Sequence, residues 1–222
     1  MKNQDIRVLL DKTAKALEKN NMQTFVVSTK EEALETVKSL IKKGDSVTMG
    51  GSQTIRECGI YDYLKCGDYT FYDRTAPEIE TEEQKMDIYR KAFSCDSYFS
   101  GSNAITESGE LYNVDGNSNR VAAMLFGSEQ LIVVAGYNKI VKDLDEAVLR
   151  VKTKAAPLNC ERLGIDNYCR INGECVSLKG ENPLMCDGCS SPTKICCNYV
   201  VMGYQRNAKR VKVILVAEEL GF

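Results

Sequence analysis

The 222 residues contain no histidine and no tryptophan. Without imidazole, proton transfer near neutral pH falls to Asp, Glu, Lys, Tyr or Cys, and any metal site has to be built from thiolates or carboxylates. No apolar run approaches the roughly 20 residues needed to span a bilayer. The opening Met1-Lys2-Asn3-Gln4-Asp5-Ile6-Arg7 holds no signal core, so the chain reads as cytoplasmic and without a membrane partner. An excess of one charge is also missing. The 29 basic residues stand against 31 acidic ones, a formal net charge of −2, which leaves no basic footprint for nucleic acid. Clusters such as Lys42-Lys43 and Lys209-Arg210-Val211-Lys212 read as solvated faces or strand edges.

What is present suits one folded domain with an appendage: 43% hydrophobic and 27% charged residues in 24.7 kDa. Asp5 to Asn20 carries a helical stripe of Ile6, Leu9, Leu10, Ala14 and Leu17, and Met22 to Ser28 reads as a strand. Thr29 caps the next helix, which has an acidic start at Glu31-Glu32 and a basic finish at Lys42-Lys43-Gly44. Ser46 to Met49 and Tyr69 to Tyr72 follow as strands, and Glu78 to Phe93 as a charged helix with Ile79, Met86, Ile88 and Tyr89 inward. Leu131 to Gly136 is a continuous apolar run of the kind buried on both faces of a parallel sheet. Asp143 to Lys154 reads as the helix that closes the first region. The alternation predicts an α/β fold with an open, mostly parallel sheet and right-handed crossovers.

Polar chemistry concentrates in Ser100 to Arg120. Glu107-Ser108-Gly109 and Asp115-Gly116 are turn signals flanking a hairpin-like Glu110 to Val114. Asn117 or Ser118 then caps a helix with Arg120 in its first turn. A cation at that end suits an anionic ligand; the blander reading is a scaffold pair with Asp115 or Glu107. Earlier, Gly50-Gly51-Ser52-Gln53-Thr54 joins a strand to a helix that Ser52 caps, placing backbone N–H groups and two hydroxyls at a strand carboxyl end. It matches neither the dinucleotide nor the P-loop fingerprint, and a plain tight turn is the alternative. Lys139, after the apolar run, is placed to face the same cleft, although a lysine there is usually just exposed.

From Ala155 the texture changes, and seven of the ten cysteines fall between Cys160 and Cys197. The spacing Cys169-x5-Cys175-x10-Cys186-x2-Cys189-x6-Cys196 contains one Cys-x-x-Cys pair, with Gly188 giving the turn its freedom. Disulfides are not the default in a reducing compartment. The options are a four-thiolate zinc site, a thiolate-held iron–sulfur cluster, a redox thiol set, or small hydrophobes that merely pack. Ile195 to Met202 and Val211 to Ala217 are strand-like and are expected to rejoin the sheet, making the cysteine module an insertion or flap.

These residues resemble the LUD-domain (lactate-utilisation) family, in its stand-alone form with a cysteine-rich tail. The likeness rests on Gly50-Gly51-Ser52-x-Thr54, on Gly101-Ser102-Asn103-Ala104-Ile105-Thr106-Glu107 through Asn113-x-Asp115-Gly116-x-x-Asn119-Arg120-Val121-Ala122, and on Val134-x-Gly136-x-Asn138-Lys139-Ile140-Val141. The tail adds Cys189-x-Ser191-Pro192-x-x-Ile195-Cys196 and the closing Glu219-Leu220-Gly221-Phe222. The resemblance implies three regions: residues 1–155 as the LUD α/β domain, 156–197 as a cysteine-rich metal-binding module, and 198–222 as strands returning to the sheet. It implies a fold like that of ribose-phosphate isomerases and CoA transferases, whose ligands are phosphorylated or CoA-linked. It implies as metal ligands Cys169, Cys186, Cys189 and Cys196, with Cys175 as the alternate to Cys186.

Three functions are carried forward. One is a component of lactate-to-pyruvate oxidation, holding an iron–sulfur cluster and working with iron–sulfur partner subunits. The second is an isomerase- or CoA-transferase-like enzyme with a structural zinc. Its small anionic substrate is bound by Gly50, Gly51, Ser52, Thr54, Asn103, Thr106, Asn119 and Arg120, and its catalytic groups are Glu107, Asp115 and Lys139. The third is a binding protein whose cysteine flap responds to metal or redox state. The assembly state, a homo-oligomer included, stays open.

Overall fold

The computed structural model describes residues 3–222; Met1 and Lys2, where the N-terminal reading begins, lie outside the described residues. Helix α1 (Asn3–Lys19) buries Ile6, Leu10, Ala14 and Leu17, and strand β1 (Gln23–Val27) follows. Thr29 caps α2 (Lys30–Leu40) by accepting the Glu32 amide at 3.2 Å. Next come β2 (Ser46–Met49), the short helices α3 (Gln53–Glu57) and α4 (Ile60–Leu64), β3 (Thr70–Tyr72), α5 (Glu82–Lys91) and β4 (Ser97–Ser100). Helix α5 starts four residues later than the pattern suggests, because Thr81 and Gln84 close a capping box there. Its Met86, expected inward, faces solvent, and Ile88 takes the core position.

The hairpin β5 (Ala104–Thr106) and β6 (Leu111–Asp115) turns at Glu107-Ser108-Gly109 and leads to α6 (Asn119–Leu125) and β7 (Gln130–Gly136). After β8 (Ile140–Val141), α7 (Leu144–Arg150) does not close at Lys154. It runs through a π-helical turn, Val151–Ala155, into α8 (Ala156–Leu163), so the change of composition at Ala155 is not a break in the backbone. Helix α9 (Tyr168–Asn172), β9 (Asn198–Met202) and β10 (Val211–Val216) complete the order.

Six strands form one all-parallel sheet in the order β1-β10-β7-β4-β2-β3. The adjacent strands β10 and β7 are buried on both faces, as their largely apolar sequences require. Leu131, Val133, Val213 and Leu215 meet α1 on one side; Ile132, Val134, Ile214 and Val216 meet α2, α3 and α4 on the other. A second sheet, β8-β5-β6-β9, mixes parallel and antiparallel pairs and packs on α7 and α8. Here the structure departs from the expectation that both late strands rejoin one sheet. Only β10 enters the main sheet, while β9 pairs antiparallel with β6, Asp115 opposite Asn198. No helix among the described residues is long and apolar enough to cross a membrane.

Candidate functional site

Strands β2, β4 and β7 are neighbours, and their carboxyl ends release Gly50-Gly51-Ser52, Gly101-Ser102-Asn103 and Tyr137-Asn138-Lys139 at one edge of the sheet, where ligands of open α/β folds bind. Between them opens a small, half-open cleft. Six of the anticipated residues line it: Gly51, Ser52, Asn103, Asp115, Arg120 and Lys139. Ser52 caps α3 as expected, accepting the Ile55 amide at 3.3 Å. The three loops approach so closely that a Cβ on Gly101 would stand 2.8 Å from Ser52 Oγ and 3.7 Å from Lys139 Nζ, which is why glycine occupies that position.

Lys139 lies on the floor, 4% exposed. Its Nζ donates to Thr54 Oγ1 at 3.0 Å, and no carboxylate is within ion-pairing distance of it among the described residues. Burial, then the charges of Arg150 and Arg120, push its pKa down to about 7. Arg150 on α7 is a further buried cation, 8% exposed, held down to a pKa of about 10 by burial. It donates to the Asn138 carbonyl at 3.1 Å and the Asn103 carbonyl at 2.5 Å, and its Nη2 finds no partner. Lys152, buried on the π-helical turn, is the contrast. Its ammonium is saturated by Ser177 Oγ and the Leu184 and Asp187 carbonyls, which tie the cysteine-bearing loop to the domain.

Arg120 follows the scaffold reading. It pairs with Asp115 at 2.6 Å and donates to Asn113 Oδ1, Asn103 Oδ1 and the Val114 carbonyl. Ser118 adopts a left-handed backbone and makes no capping bond; Asp115 Oδ2 does that work for α6, accepting the Val121 amide at 2.9 Å. Asp115 thus locks Arg120 and α6 together at the cleft wall.

Other anticipated residues stand elsewhere. Glu107, on the β5–β6 turn, pairs with Lys12 of α1 and is not in the cleft lining. Thr106 is fully buried, with its hydroxyl on Glu110, and Asn119 faces a separate small pocket beside Tyr98 and Arg74. Gly50 lies behind the cleft, where a Cβ would press on the Arg120 stem at 3.2 Å. Arg150 was missed in the sequence, although its spacing from Ala147 and Val151, both buried, puts it on the inward face of the helix.

The cysteine module forms a second, narrow cavity with walls that include Tyr112, Val151 and Tyr199. Cys169, Cys175, Cys189 and Cys196 line it; Cys186 does not, and is exposed. Cys160 Sγ is 3.7 Å from Cys169 Sγ. Burial pushes the Cys169 and Cys196 thiols up to about 12. Among the described residues no three Cys, Asp or Glu side chains stand close enough to chelate a single metal ion.

A crystal structure of a DUF162 family protein from Deinococcus radiodurans is similar over 97% of this chain and 99% of that one, with 13% identity and a TM-score of 0.49. Ribose 5-phosphate isomerase from Plasmodium falciparum aligns over 51% and 52% of the two chains, with 18% identity and a TM-score of 0.31. For eIF2B beta from Chaetomium thermophilum the coverage is 53% and 44%, with 12% identity and a TM-score of 0.35. No curated protein matches the sequence. The sequence model of the LUD domain matches residues 10–216, from α1 across all three cleft loops and the cysteine module to the last strand. With that span matched, the chain belongs to the LUD-domain family.

Proposed function

We propose that this chain is a lactate-utilisation component whose cleft binds a small anionic ligand, a hydroxy- or oxo-carboxylate in the simplest case, at Lys139. The observation that carries the reading is a buried ammonium with a neutral hydroxyl as its partner and no carboxylate, beside a second buried cation, Arg150. Burying such a group unpaired is unfavourable, and an incoming anion supplies the missing counter-charge. Binding therefore draws a proton onto Lys139 and fixes the ligand's charged end against Thr54 and the Gly101 loop. Helix α3 is only five residues long, so its dipole adds little; the side-chain cations dominate.

The second part of the reading is a thiolate-held iron–sulfur cluster in the cysteine cavity. The residues fit such a group. Four thiols line one cavity and no three of them converge on a point, a wider spacing than a lone zinc ion takes and the kind a cluster bridges. The Tyr112 hydroxyl, buried beside them without a partner, supplies a donor for a sulfide or thiolate. Cys169, Cys175, Cys189 and Cys196 would hold the cluster, with Cys175 in place of Cys186. Bound there, it supplies one-electron transfer to partner subunits in lactate-to-pyruvate oxidation.

Isothermal titration of the wild-type protein and Lys139→Met with L-lactate and pyruvate tests the first part; equal affinity in both proteins would refute it. Iron and sulfide content after oxygen-free purification tests the second, and a colourless protein carrying one zinc would refute that.

A further inference from the structure

Three arginines gather at the rim of the Lys139 cleft. Arg56 lies on α3, Arg74 follows β3, and Arg162 ends α8; none forms an ion pair among the described residues. Their partners are neutral. The Arg56 guanidinium stacks 3.9 Å from the Tyr61 ring centre, and Arg74 stands 5.5 Å from that of Tyr89. Arg162 donates twice to Asn159 Oδ1, at 3.1 and 2.7 Å, and Asn159 itself lines the cleft. Two of the guanidinium groups converge over one backbone position. A Cβ on Gly51 would meet Arg74 Nη2 at 2.6 Å and Arg162 Nη2 at 3.7 Å.

Long, exposed arginines separate in water when nothing holds them, because like charges repel. Here Tyr61, Tyr89 and Asn159 hold them together, and burial with the charges of Arg74 and Arg56 depresses the pKa of Arg162. Among the described residues no acid pairs with any of the three, which leaves their charge to be met by a ligand. Guanidinium forks over an exposed backbone match phosphate oxygens in shape and charge. The rim is also continuous with the floor. Gly51 leads to Ser52, whose hydroxyl faces Gly101, and Gly101 faces Lys139 Nζ.

We infer that Arg74 and Arg162, backed by Arg56, form a phosphate subsite at the mouth of the Lys139 cleft. The ligand is then a phosphorylated small molecule, with its phosphate or diphosphate over Gly51 and its other anionic or carbonyl end at Lys139. This deepens the anion-binding reading of the cleft and rests on it.

The test is isothermal titration with inorganic pyrophosphate and, separately, with pyruvate. Each is run on the wild-type protein, R74Q, R162Q, the double variant and K139M. Each arginine change is expected to weaken pyrophosphate about tenfold and the double variant about a hundredfold. Pyruvate affinity is expected to shift by less than about twofold in these variants, because its charge is met at Lys139. If the double variant does not fold, R74Q and R162Q carry the test singly. Unchanged pyrophosphate affinity in the arginine variants would overturn the subsite. So would a wild-type protein that binds pyruvate but not pyrophosphate, and that result leaves the Lys139 reading standing. Pyruvate affinity unaltered by K139M would instead overturn the Lys139 reading, and a wild-type protein that binds neither probe overturns both.

Discussion

Replacing Lys139 by Met should make the apo protein more stable at low pH, and the size of the gain should report how strongly the site strains its own charge. Met fills much the same stem volume and removes the amine; Thr54 keeps its bond to the Leu220 carbonyl at 3.3 Å. The folded-state pKa of about 7 lies below the ordinary lysine value of 10.5. Between those values the unfolded chain holds the extra proton, so wild-type stability rises with pH from 7 to 10.5. Below pH 7 the full penalty is present; above 10.5 it is gone. One pKa unit corresponds to about 1.4 kcal/mol, so the advantage of Lys139→Met over wild type should be about 4 kcal/mol larger at pH 6 than at pH 10. Taking the difference between the two proteins cancels the titration of the other lysines, tyrosines and cysteines. Urea unfolding of both at pH 6, 8 and 10 gives the number. A difference that does not vary with pH, or a variant less stable than wild type at pH 6, would refute the reasoning.

Pyruvate binding at pH 8 should take up about one proton, because an anion beside Lys139 raises its pKa again, and at pH 6 little uptake should remain. Calorimetry in buffers of different ionisation heat measures both. Cys175→Ser should lower bound iron and sulfide while Cys186→Ser leaves them near wild type, since Cys175 lines the cavity and Cys186 faces outward; the opposite pattern would return Cys186 to the ligand set. Asp115→Ala should cost about 3 kcal/mol in denaturant unfolding, because it strips both the pair of Arg120 and the cap of α6. Glu107→Gln should leave pyruvate affinity unchanged and alter stability by no more than about 1 kcal/mol, as for a partly exposed pair; lost binding would bring Glu107 back to the site.

The sequence carried the main sheet well where one local signal sufficed. Leu131 to Gly136 reads as a strand buried on both faces because every residue is apolar, and Thr29 and Ser52 announce their helices through their own side chains. What escaped depends on long-range placement. Nothing near Asn198 says that it pairs with Asp115 in a second sheet, since both possible destinations present apolar faces. Lysine at position 139 looks like any loop lysine until three strand ends close over it. Arg74 and Arg162 are 88 positions apart and meet only because Gly51 leaves room. The Arg120 pair with Asp115 was visible as an option, but choosing it needed the acceptors on Asn103, Asn113 and Val114 that fill the guanidinium fork.

The placement of β10 bears on how the protein is made. Strand β1 touches the main sheet through β10, a strand that follows it by nearly the whole chain. On the ribosome, β1 must therefore wait with its pairing edge uncovered until residues 211–216 emerge. By then the thiol-bearing loop has already been synthesised. Insertion of the late strand thus joins the earliest segment to the rest in a single step of high contact order, the kind that sets a slow folding rate. A chaperone would act on a chain whose first strand is still detached from the other strands of the sheet.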